Sequence, residues 1–424
     1  MPANHTHIAI IGGGAAGMMA AIFAARSATP QSETRVAVFD GAKKLGAKIL
    51  IAGGGRCNVT HDIINPIDYF GGTSRNTVKK ILKSFSVKET TAFFAELGVE
   101  LKREETGKLF PVTDKARTVL DALQRAMSNA GVEVFTDHRV TNLQTTSSPQ
   151  APRFMIQTAR GPFTAERVIL ATGGEALPAS GSDGGAYEII ERLGHTVTET
   201  WPALVPLVLH EDHFLTALSG IALDVELTLA GNTGKAIHKQ AGPLLFTHFG
   251  LSGPAAMDIS RHLRPHKLVS GASKLTASFC PDLTFERLEQ VWLDAAKHHP
   301  TRAVQTQLRG RFPERFAQAI LDKYLGIEPD LPLSQFSRDD RRALCHALTA
   351  MPLPVVGDRG FKYAEVTAGG VPMTEVTTAT MASKRCDGLY LCGEVLDVDG
   401  RIGGYNFQWA WCTGRLAGIA VATM

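Results

Sequence analysis

The sequence predicts an α/β fold in which one domain is interrupted by an insertion. An apolar run at 7–11 is followed by glycines at 12–17, a helical pattern at 18–26 and a second apolar run at 35–39. Strand, glycine turn, helix and strand in this order form a βαβ unit, which implies a parallel sheet. The same glycine-rich style returns after Pro354, so the two ends of the chain are expected to share one domain.

Composition restricts the class of protein. The chain has 424 residues, of which 44% are hydrophobic and 20% charged, as in ordinary globular proteins. A net charge of +3 argues against a protein that binds nucleic acid mainly through its charge. The six cysteines contain no CxxC pair, and we expect no metal site.

The beginning of the chain bears on its location. It has no basic segment ahead of its apolar run, so we expect no signal peptide and a cytoplasmic protein. The uncharged stretch 8–25 is long enough to span a membrane. Its four glycines and its strand-like start favour the βαβ interpretation instead.

The remaining elements follow in order. Residues 44–76 are predicted to be an ordered loop, and a capping box at Ser86–Glu89 begins a helix. A helical pattern covers 114–130, and strand patterns cover 132–171. We expect the discontinuous domain at 1–193 and 353–424. The insertion comprises a β domain at 194–280 with a return near 349–360, and a helical part at 281–348.

The first glycine cluster has the pattern of a dinucleotide-binding turn. Gly12 makes the tight turn, Gly14 admits a pyrophosphate, and Gly17 packs the helix on the strand. The helix N-terminus favours the phosphate charge. Asp40, at the end of the next strand, is placed to accept hydrogen bonds from ribose hydroxyls.

A second cluster lies at 46–58. Three glycines before Arg56 indicate backbone packed against a flat ligand, and Lys48 and Arg56 are candidates to neutralise phosphate. Cys57 is a candidate redox thiol, but it has no neighbouring cysteine to form a disulfide with. We therefore expect a packed, inert side chain at Cys57.

A third cluster, at 393–408, again joins a strand to a helix through glycines. One dinucleotide site does not need two helix N-termini for its pyrophosphate, whereas a flavin uses the second for the charge on its reduced ring. Glu394 would then accept hydrogen bonds from ribityl hydroxyls. The three clusters together favour FAD.

Five segments carry a resemblance to a known family: 10–17, 44–58, 171–174, 245–254 and 393–406. They resemble the HI0933-like (BaiN/YhiN-type) bacterial flavoproteins over nearly the whole chain. The resemblance implies a glutathione-reductase-type FAD-binding Rossmann domain with an inserted flattened β-barrel and a helical subdomain.

The glycine turns and this resemblance together nominate FAD-binding positions. They are Gly12, Gly14, Ala15, Ala16, Gly17, Asp40, Lys48, Arg56, Cys57, Asn58, Val140, Thr172, Gly173, Gly393, Glu394, Gly404, Asn406 and Phe407. The resemblance implies that Val140 holds the adenine through its backbone. The sequence departs from the family at Ala47 and Ala52, where many relatives have Arg and Ser.

These observations predict an FAD-dependent oxidoreductase. No second GxGxxG unit is present, so NAD(P)H is expected only as a transient co-substrate. The family resemblance covers reduction of activated C=C bonds, in enones or in the uracil ring of ribosomal RNA, and amine oxidation with O₂. We favour reduction of a small molecule with an activated double bond, and expect no membrane partner.

Saturation of a C=C bond needs a proton donor. His248, in the insertion, is the first candidate because histidine exchanges protons near neutral pH. Tyr405, beside the third turn, is the second. Arginines at 309–315 and 338–342 could dock RNA phosphates, although paired charges on a solvated helix face are the favoured interpretation.

Overall fold

A computed structural model describes residues 4–28, 34–146, 151–263 and 273–423. The chain divides into two compact units. The first comprises Met1–Pro202 and Glu365–Met424, and the second comprises Ala203–Ala364. The boundaries thus fall about ten residues beyond those expected from the sequence, at 193 and 353.

The first unit is built on a seven-stranded sheet. Its parallel part runs in the order Glu133–Phe135, Val36–Phe39, His5–Ile11, Gly161–Leu170 and Leu389–Leu391. The strands Phe154–Thr158 and Val140–Thr145 extend the sheet in antiparallel fashion. Both ends of the chain therefore contribute to one sheet, as the sequence predicts.

Seven helices lie in the described part of the first unit: Ala15–Ser27, Ala47–Gly55, Arg75–Ser84, Val87–Glu96, Ala116–Asn129, Tyr187–Arg192 and Tyr405–Thr423. The predicted capping box is present, because Ser86 and Glu89 accept each other's backbone N–H groups. Shorter strands complete this unit: Thr60–His61, Tyr69–Phe70, Leu101–Arg103, Lys108–Pro111, Val366–Ala368 and Asp399–Gly400, with Trp201–Ala203 at its boundary.

One segment differs from the sequence prediction, and another decides between two alternatives that the sequence left open. The segment 44–76, expected as a loop, contains the helix Ala47–Gly55 and two short strands. The glycines of this segment led to the prediction of a loop. They take left-handed conformations at the end of the helix and leave its first turns intact. The stretch 8–25 is a strand, a turn and a helix, and within the described residues no helix is both long and apolar enough to span a membrane.

The first and last helices pack closely through small residues. A Cβ at Gly414 would lie 2.4 Å from the carbonyl oxygen of Ala16, and one at Gly418 would lie 2.4 Å from that of Ala20. Only glycine permits this approach, since any side chain would push the two helices apart. The contact fixes the helix that follows the first glycine cluster against the C-terminal half of the helix that follows the third.

The second unit contains a seven-stranded antiparallel sheet. Its order is Met351–Leu353, Ser273–Ser278, Ala222–Gly231, Ala236–Thr247, Gly250–Ser252, Leu207–Leu209 and Val355–Asp358. The strands at 351–358 form the return that the sequence placed near 349–360. The described helices are Gly253–Ser260, Phe285–His298, Val304–Arg309, Glu314–Ala319 and Arg338–Ala350.

Strands and helices of the second unit share one hydrophobic core. Phe246 on a strand stacks on Phe316 of a helix with ring centroids 6.0 Å apart, and both side chains are fully buried. Thr284 and Ser337 cap the longest helices, as their positions in the sequence predict. The inserted segment therefore has apolar packing of its own.

Candidate cofactor site

The carboxyl ends of parallel strands bring the first and third glycine clusters, Asp40 and Thr172 to one edge of the first unit. Asp40 follows the strand that ends at Phe39, Thr172 follows the strand that ends at Leu170, and Glu394 follows the strand that ends at Leu391. Ligands of open α/β sheets bind at this edge.

In the first turn, three glycines have three different surroundings. A Cβ at Gly12 would lie 2.4 Å from the carbonyl oxygen of Ala171, and one at Gly17 would lie 1.9 Å from that of Gly12. A Cβ at Gly14 would meet no atom within 4 Å. Gly12 and Gly17 are therefore required by the fold, whereas Gly14 leaves open space. No side chain caps the helix that begins at Ala15, so backbone N–H groups face this space.

Asp40 is fixed against the same turn. Its Oδ2 accepts the N–H of Gly13 at 2.6 Å, and its Oδ1 accepts the N–H of Ala42 at 2.8 Å. A carboxylate has about four acceptor sites, so each oxygen retains capacity for a hydroxyl group. The position and remaining capacity of Asp40 fit the ribose contact predicted from the sequence.

Two side chains that the sequence analysis treated separately form an ion pair. Lys48 Nζ lies 2.6 Å from Glu394 Oε2, and both side chains are mostly buried. Lys48 also donates to Ser182 Oγ, and Glu394 Oε1 accepts the N–H of Thr367. Sequence analysis missed Ser182 and Thr367. The glycine pair that follows Thr367 resembles the other clusters and could have drawn attention to it.

The second cluster presents bare backbone. Gly53, Gly54 and Gly55 have φ values of 58°, 68° and 83°, in the left-handed region that favours glycine. A Cβ at Gly54 would meet nothing within 4 Å, which leaves room for a flat ligand. Arg56 lies 4.0 Å from the ring centroid of Phe110 and is paired with Glu104 at 2.5 Å. Its charge is therefore already neutralised within the protein.

Cys57 and Asn58 follow these glycines into the interior. Cys57 is fully buried, and burial raises the pKa of its thiol to about 12. The thiol therefore stays protonated, in agreement with the expected inert side chain. Asn58 Oδ1 and Thr172 Oγ1 are buried without a hydrogen-bond partner in the described part of the chain. Such orphaned polar atoms are costly unless a ligand or water satisfies them.

The third turn is braced from within. Asn406 accepts the N–H of Gly400 at 2.8 Å and donates to its carbonyl at 2.9 Å. Gly393 has a φ of 81°, and a Cβ there would lie 2.7 Å from that of Ala16, so the first and third turns are adjacent. Gly404 passes close to the backbone of Thr60.

The remaining predicted positions lie around these turns. Phe407 stacks on Trp411 with centroids 5.5 Å apart. Gly173 has a φ of 75° and passes close to Ser182. Val140 begins the edge strand of the sheet. Tyr405 is buried, and its hydroxyl donates to the carbonyl of Ile63 at 3.1 Å.

His248 belongs to the second unit. It lies in the turn between the strands Ala236–Thr247 and Gly250–Ser252 and is exposed. Thr247 Oγ1 closes this turn by donating to the carbonyl of Gly250. Among the described residues the imidazole of His248 has no hydrogen-bond partner, and its ring packs edge-on against Phe249 with centroids 5.1 Å apart. The imidazole nitrogens are therefore available to a ligand.

The residues of the first unit fit FAD. The backbone leaves open space at Gly14 and Gly54, and the helix that begins at Ala15 has no side-chain cap. Asn58 Oδ1 and Thr172 Oγ1 lack a hydrogen-bond partner among the described residues. A polar, extended ligand would fill this space and satisfy these groups. Asp40 would hold the ribose, the first turn the pyrophosphate, and the third turn the flavin end. Lys48 and Arg56 are engaged with carboxylates and would act mainly in positioning.

Fold and site together define a Rossmann-type FAD-binding oxidoreductase. The chain belongs to the HI0933-like family, whose Rossmann-domain model matches residues 6–420. It is 35% identical to the 3-dehydro-bile acid delta(4,6)-reductase of Clostridium scindens over 98% of both chains. It is 32% identical to the ribosomal RNA dihydrouridine synthase of Haemophilus influenzae over 97% of this chain and 98% of that protein.

A solved structure supports the same fold. The 3-ketosteroid-delta4-(5alpha)-dehydrogenase of Rhodococcus jostii superposes with a TM-score of 0.51 at 16% identity, covering 100% of this chain and 98% of that one. At this identity the likeness concerns the fold alone. The predictions of fold, family and FAD-dependent oxidoreductase chemistry are thereby confirmed.

Proposed function

We propose that this protein reduces a C=C bond conjugated to a carbonyl group in a small molecule, with NAD(P)H as the source of electrons. One observation carries the proposal: two relatives that align with this chain over nearly their whole length bear names that describe the reduction of a C=C bond. A delta(4,6)-unsaturated 3-dehydro-bile acid and uridine each contain a C=C bond conjugated to a carbonyl, and each is reduced there.

The chemistry assigns distinct tasks to the two units. Bound by the residues of the first unit, FAD would supply the hydride that this reduction needs. The chain itself must hold the substrate, exclude water and deliver a proton to the α-carbon. His248 is the proposed donor, because its imidazole is exposed and unpaired within the described residues. It regains its proton from solvent after each turnover.

Electron supply follows from the organisation of the chain. The described structure has one glycine-turn Rossmann unit, and its site is accounted for by FAD. NAD(P)H would therefore bind transiently and leave after reducing the flavin. The alternative of an amine oxidase that passes electrons to O₂ needs no nicotinamide, so the two reactions separate experimentally.

A small substrate is favoured over RNA by the state of the arginines. Arg309 is paired with Glu314, and Arg341 and Arg342 both lie within 4 Å of Glu289. Paired arginines offer less to a phosphate backbone than free ones. The uracil ring of ribosomal RNA remains the second candidate, because two curated relatives carry that activity in their names.

The experiment is an anaerobic two-step assay. The purified protein is first reduced with NADH or NADPH, and then cyclohex-2-enone or uridine-containing RNA is added. Aminoacetone is added to a separate sample of the oxidised protein. We expect the nicotinamide to bleach the flavin and the enone to restore its colour. Bleaching by aminoacetone without nicotinamide would contradict the proposal and favour the oxidase. Colour restored by RNA alone would favour the second candidate.

His248→Ala tests the proton donor. We expect enone turnover to fall by about 10²–10⁴-fold while reduction of the flavin by nicotinamide is unchanged, because only the second step needs the proton. The matched control is His210→Ala, which removes an exposed histidine of the same unit that is paired with Asp212. Turnover at the wild-type rate in His248→Ala would exclude this residue.

A further inference from the structure

An arginine of the second unit contacts two aromatic rings. The guanidinium carbon of Arg359 lies 4.3 Å from the ring centroid of Phe249 and 3.6 Å from that of Tyr363. Two aromatic rings thus support one guanidinium group. Each ring attracts the cation, and the N–H donors of the guanidinium lie in its own plane.

Those donors have no acceptor. Arg359 donates its backbone N–H to the carbonyl of Pro206 at 3.1 Å. Within the described ranges of the chain, its guanidinium has neither a carboxylate partner nor a hydrogen bond. Asp358, its neighbour, instead accepts the N–H of Gly360 at 2.7 Å. Arg359 is thus a positioned cation whose edge is unoccupied.

Arg342, another arginine of the second unit that lies beside an aromatic ring, has an acceptor that Arg359 lacks. Arg342 lies 4.9 Å from the ring of Phe285, but its guanidinium is also 3.2 Å from the carboxylate of Glu289. An internal carboxylate satisfies Arg342, whereas Arg359 is left for an external acceptor.

Arg359 and His248 share one aromatic support. The ring of Phe249 contacts the imidazole edge-on at 5.1 Å and the guanidinium at 4.3 Å. The strand that ends at Asp358 pairs with the strand Leu207–Leu209, which pairs in turn with Gly250 and Leu251. The sheet places the His248 turn beside Leu209 and Arg359 beside Pro206, so the two residues are linked through the ring of Phe249 and not by direct pairing.

We propose that Arg359 is the oxyanion-binding residue for the substrate carbonyl, with Phe249 and Tyr363 as its supports. This inference rests on the proposed function. As hydride adds to the β-carbon, the C=C electron pair moves toward the carbonyl and negative charge develops on its oxygen. The edge of Arg359 stabilises that oxygen, and a proton from His248 then forms the new C–H bond at the α-carbon.

The geometry also specifies the substrate. A guanidinium binds an oxygen acceptor in its own plane, and the rings of Phe249 and Tyr363 beside it favour a flat, apolar neighbour to that oxygen. A flat enone or dienone carbonyl meets these requirements. The aromatic supports keep the cation rigid, so little conformational entropy is lost when the substrate binds.

The decisive measurement uses 4-nitrophenolate, a flat oxyanion that resembles an enolate, and needs no turnover. Binding to the FAD-loaded protein is followed by titration calorimetry for wild type, Arg359→Gln, Arg359→Lys and the matched control Arg342→Gln. We expect affinity at least tenfold weaker in Arg359→Gln, intermediate in Arg359→Lys, and unchanged in Arg342→Gln. Nitrobenzene, which lacks the charge, should bind all four equally.

Equal phenolate affinity in wild type and Arg359→Gln would overturn the inference. Tyr363→Leu guards against a variant that fails to fold, because Tyr363 is 40% exposed and contributes little to the core. This change should weaken phenolate binding by loosening Arg359, and unchanged affinity in a folded Tyr363→Leu protein would also count against the proposal.

Enone reduction separates this inference from the proposed function. In a wild type that reduces cyclohex-2-enone, Arg359→Gln should lower kcat by about 10²-fold, with flavin content and the shape of the pH profile unchanged. The pH profile should change instead in His248→Ala. A wild type that reduces no enone refutes the proposed function, whereas the phenolate titration still decides whether Arg359 binds an oxyanion.

Discussion

At the scale of single residues, glycines of one motif serve two purposes. Gly12 and Gly17 lie so close to backbone atoms that a side chain cannot be placed there. Gly14 faces open space and has a φ of −79°, which every residue adopts readily. The fold therefore tolerates a side chain at Gly14, and we attribute the glycine there to the proposed pyrophosphate contact.

Gly14→Val tests this division. We expect the FAD-free protein to be as stable as wild type within about 0.5 kcal/mol, since the new side chain contacts nothing. FAD affinity, measured by quenching of flavin fluorescence, should fall at least tenfold because the side chain fills the pyrophosphate space. Gly17→Val, the comparison, should prevent folding. A Gly14→Val protein with wild-type FAD affinity would contradict the assigned site.

At the scale of elements, a buried histidine ties the C-terminal segment to the rest of the first unit. His195 Nδ1 lies 2.9 Å from Glu375 Oε2, and His195 Nε2 lies 2.7 Å from Ser383 Oγ. Ser383 Oγ already accepts two backbone N–H groups, so its own proton goes to His195. The imidazole is therefore neutral and donates to Glu375, which agrees with burial lowering the pKa of His195.

This histidine makes stability depend on pH. In the unfolded chain its pKa returns to about 6.5. A lowered folded-state pKa contributes stability above that value, and the contribution is lost as the pH falls below it. We expect the Tm of wild type to drop between about pH 7.5 and 5, and the drop to be smaller in His195→Gln. Glu375 stays ionised over this range, because its pKa is lowered too.

His210→Gln is the control for this measurement, because His210 is exposed and its loss should leave the pH dependence unchanged. If Tm changed with pH equally in His195→Gln and in wild type, the pKa of His195 would not differ between the folded and unfolded states, and the prediction would be wrong.

Local patterns explain what could be predicted from the sequence. The glycine turns, Asp40 and the helix caps depend on residues close together in the chain, so they were predictable. The pair of Lys48 and Glu394 joins positions 346 residues apart, and the stacking of Arg359 on Phe249 requires strand pairing within the second unit. The four-residue spacing of Gly414 and Gly418 can be read from the sequence. The sequence does not show that these glycines pack against the first helix.

At the scale of the whole molecule, the chain leaves the first unit and returns to it at one place. Thr198 donates its N–H to the carbonyl of Gly370 at 2.9 Å, and Gly370 donates to Thr198 Oγ1. The residues between 203 and 364 have a core of their own. A short connection can therefore replace them without stretching the first unit.

Removal of the second unit is the test at this scale. We expect a protein that joins 202 to 365 through a short Gly-Ser linker to be soluble and to retain FAD, because each predicted cofactor contact lies in the first unit. It should reduce no enone, since Arg359 and His248 are gone. A folded deletion protein that cannot retain FAD would show that the second unit belongs to the cofactor site.

The state of the cysteines has a consequence for durability. Five of the six are buried, Cys386 is half-buried, and burial raises the pKa of each thiol. Hydrogen peroxide forms whenever a reduced flavin meets oxygen, and it attacks thiolates rather than protonated thiols. An enzyme with five buried thiols and one half-buried thiol, all held protonated, should therefore lose activity only slowly through oxidation of cysteine by the peroxide that its own flavin forms.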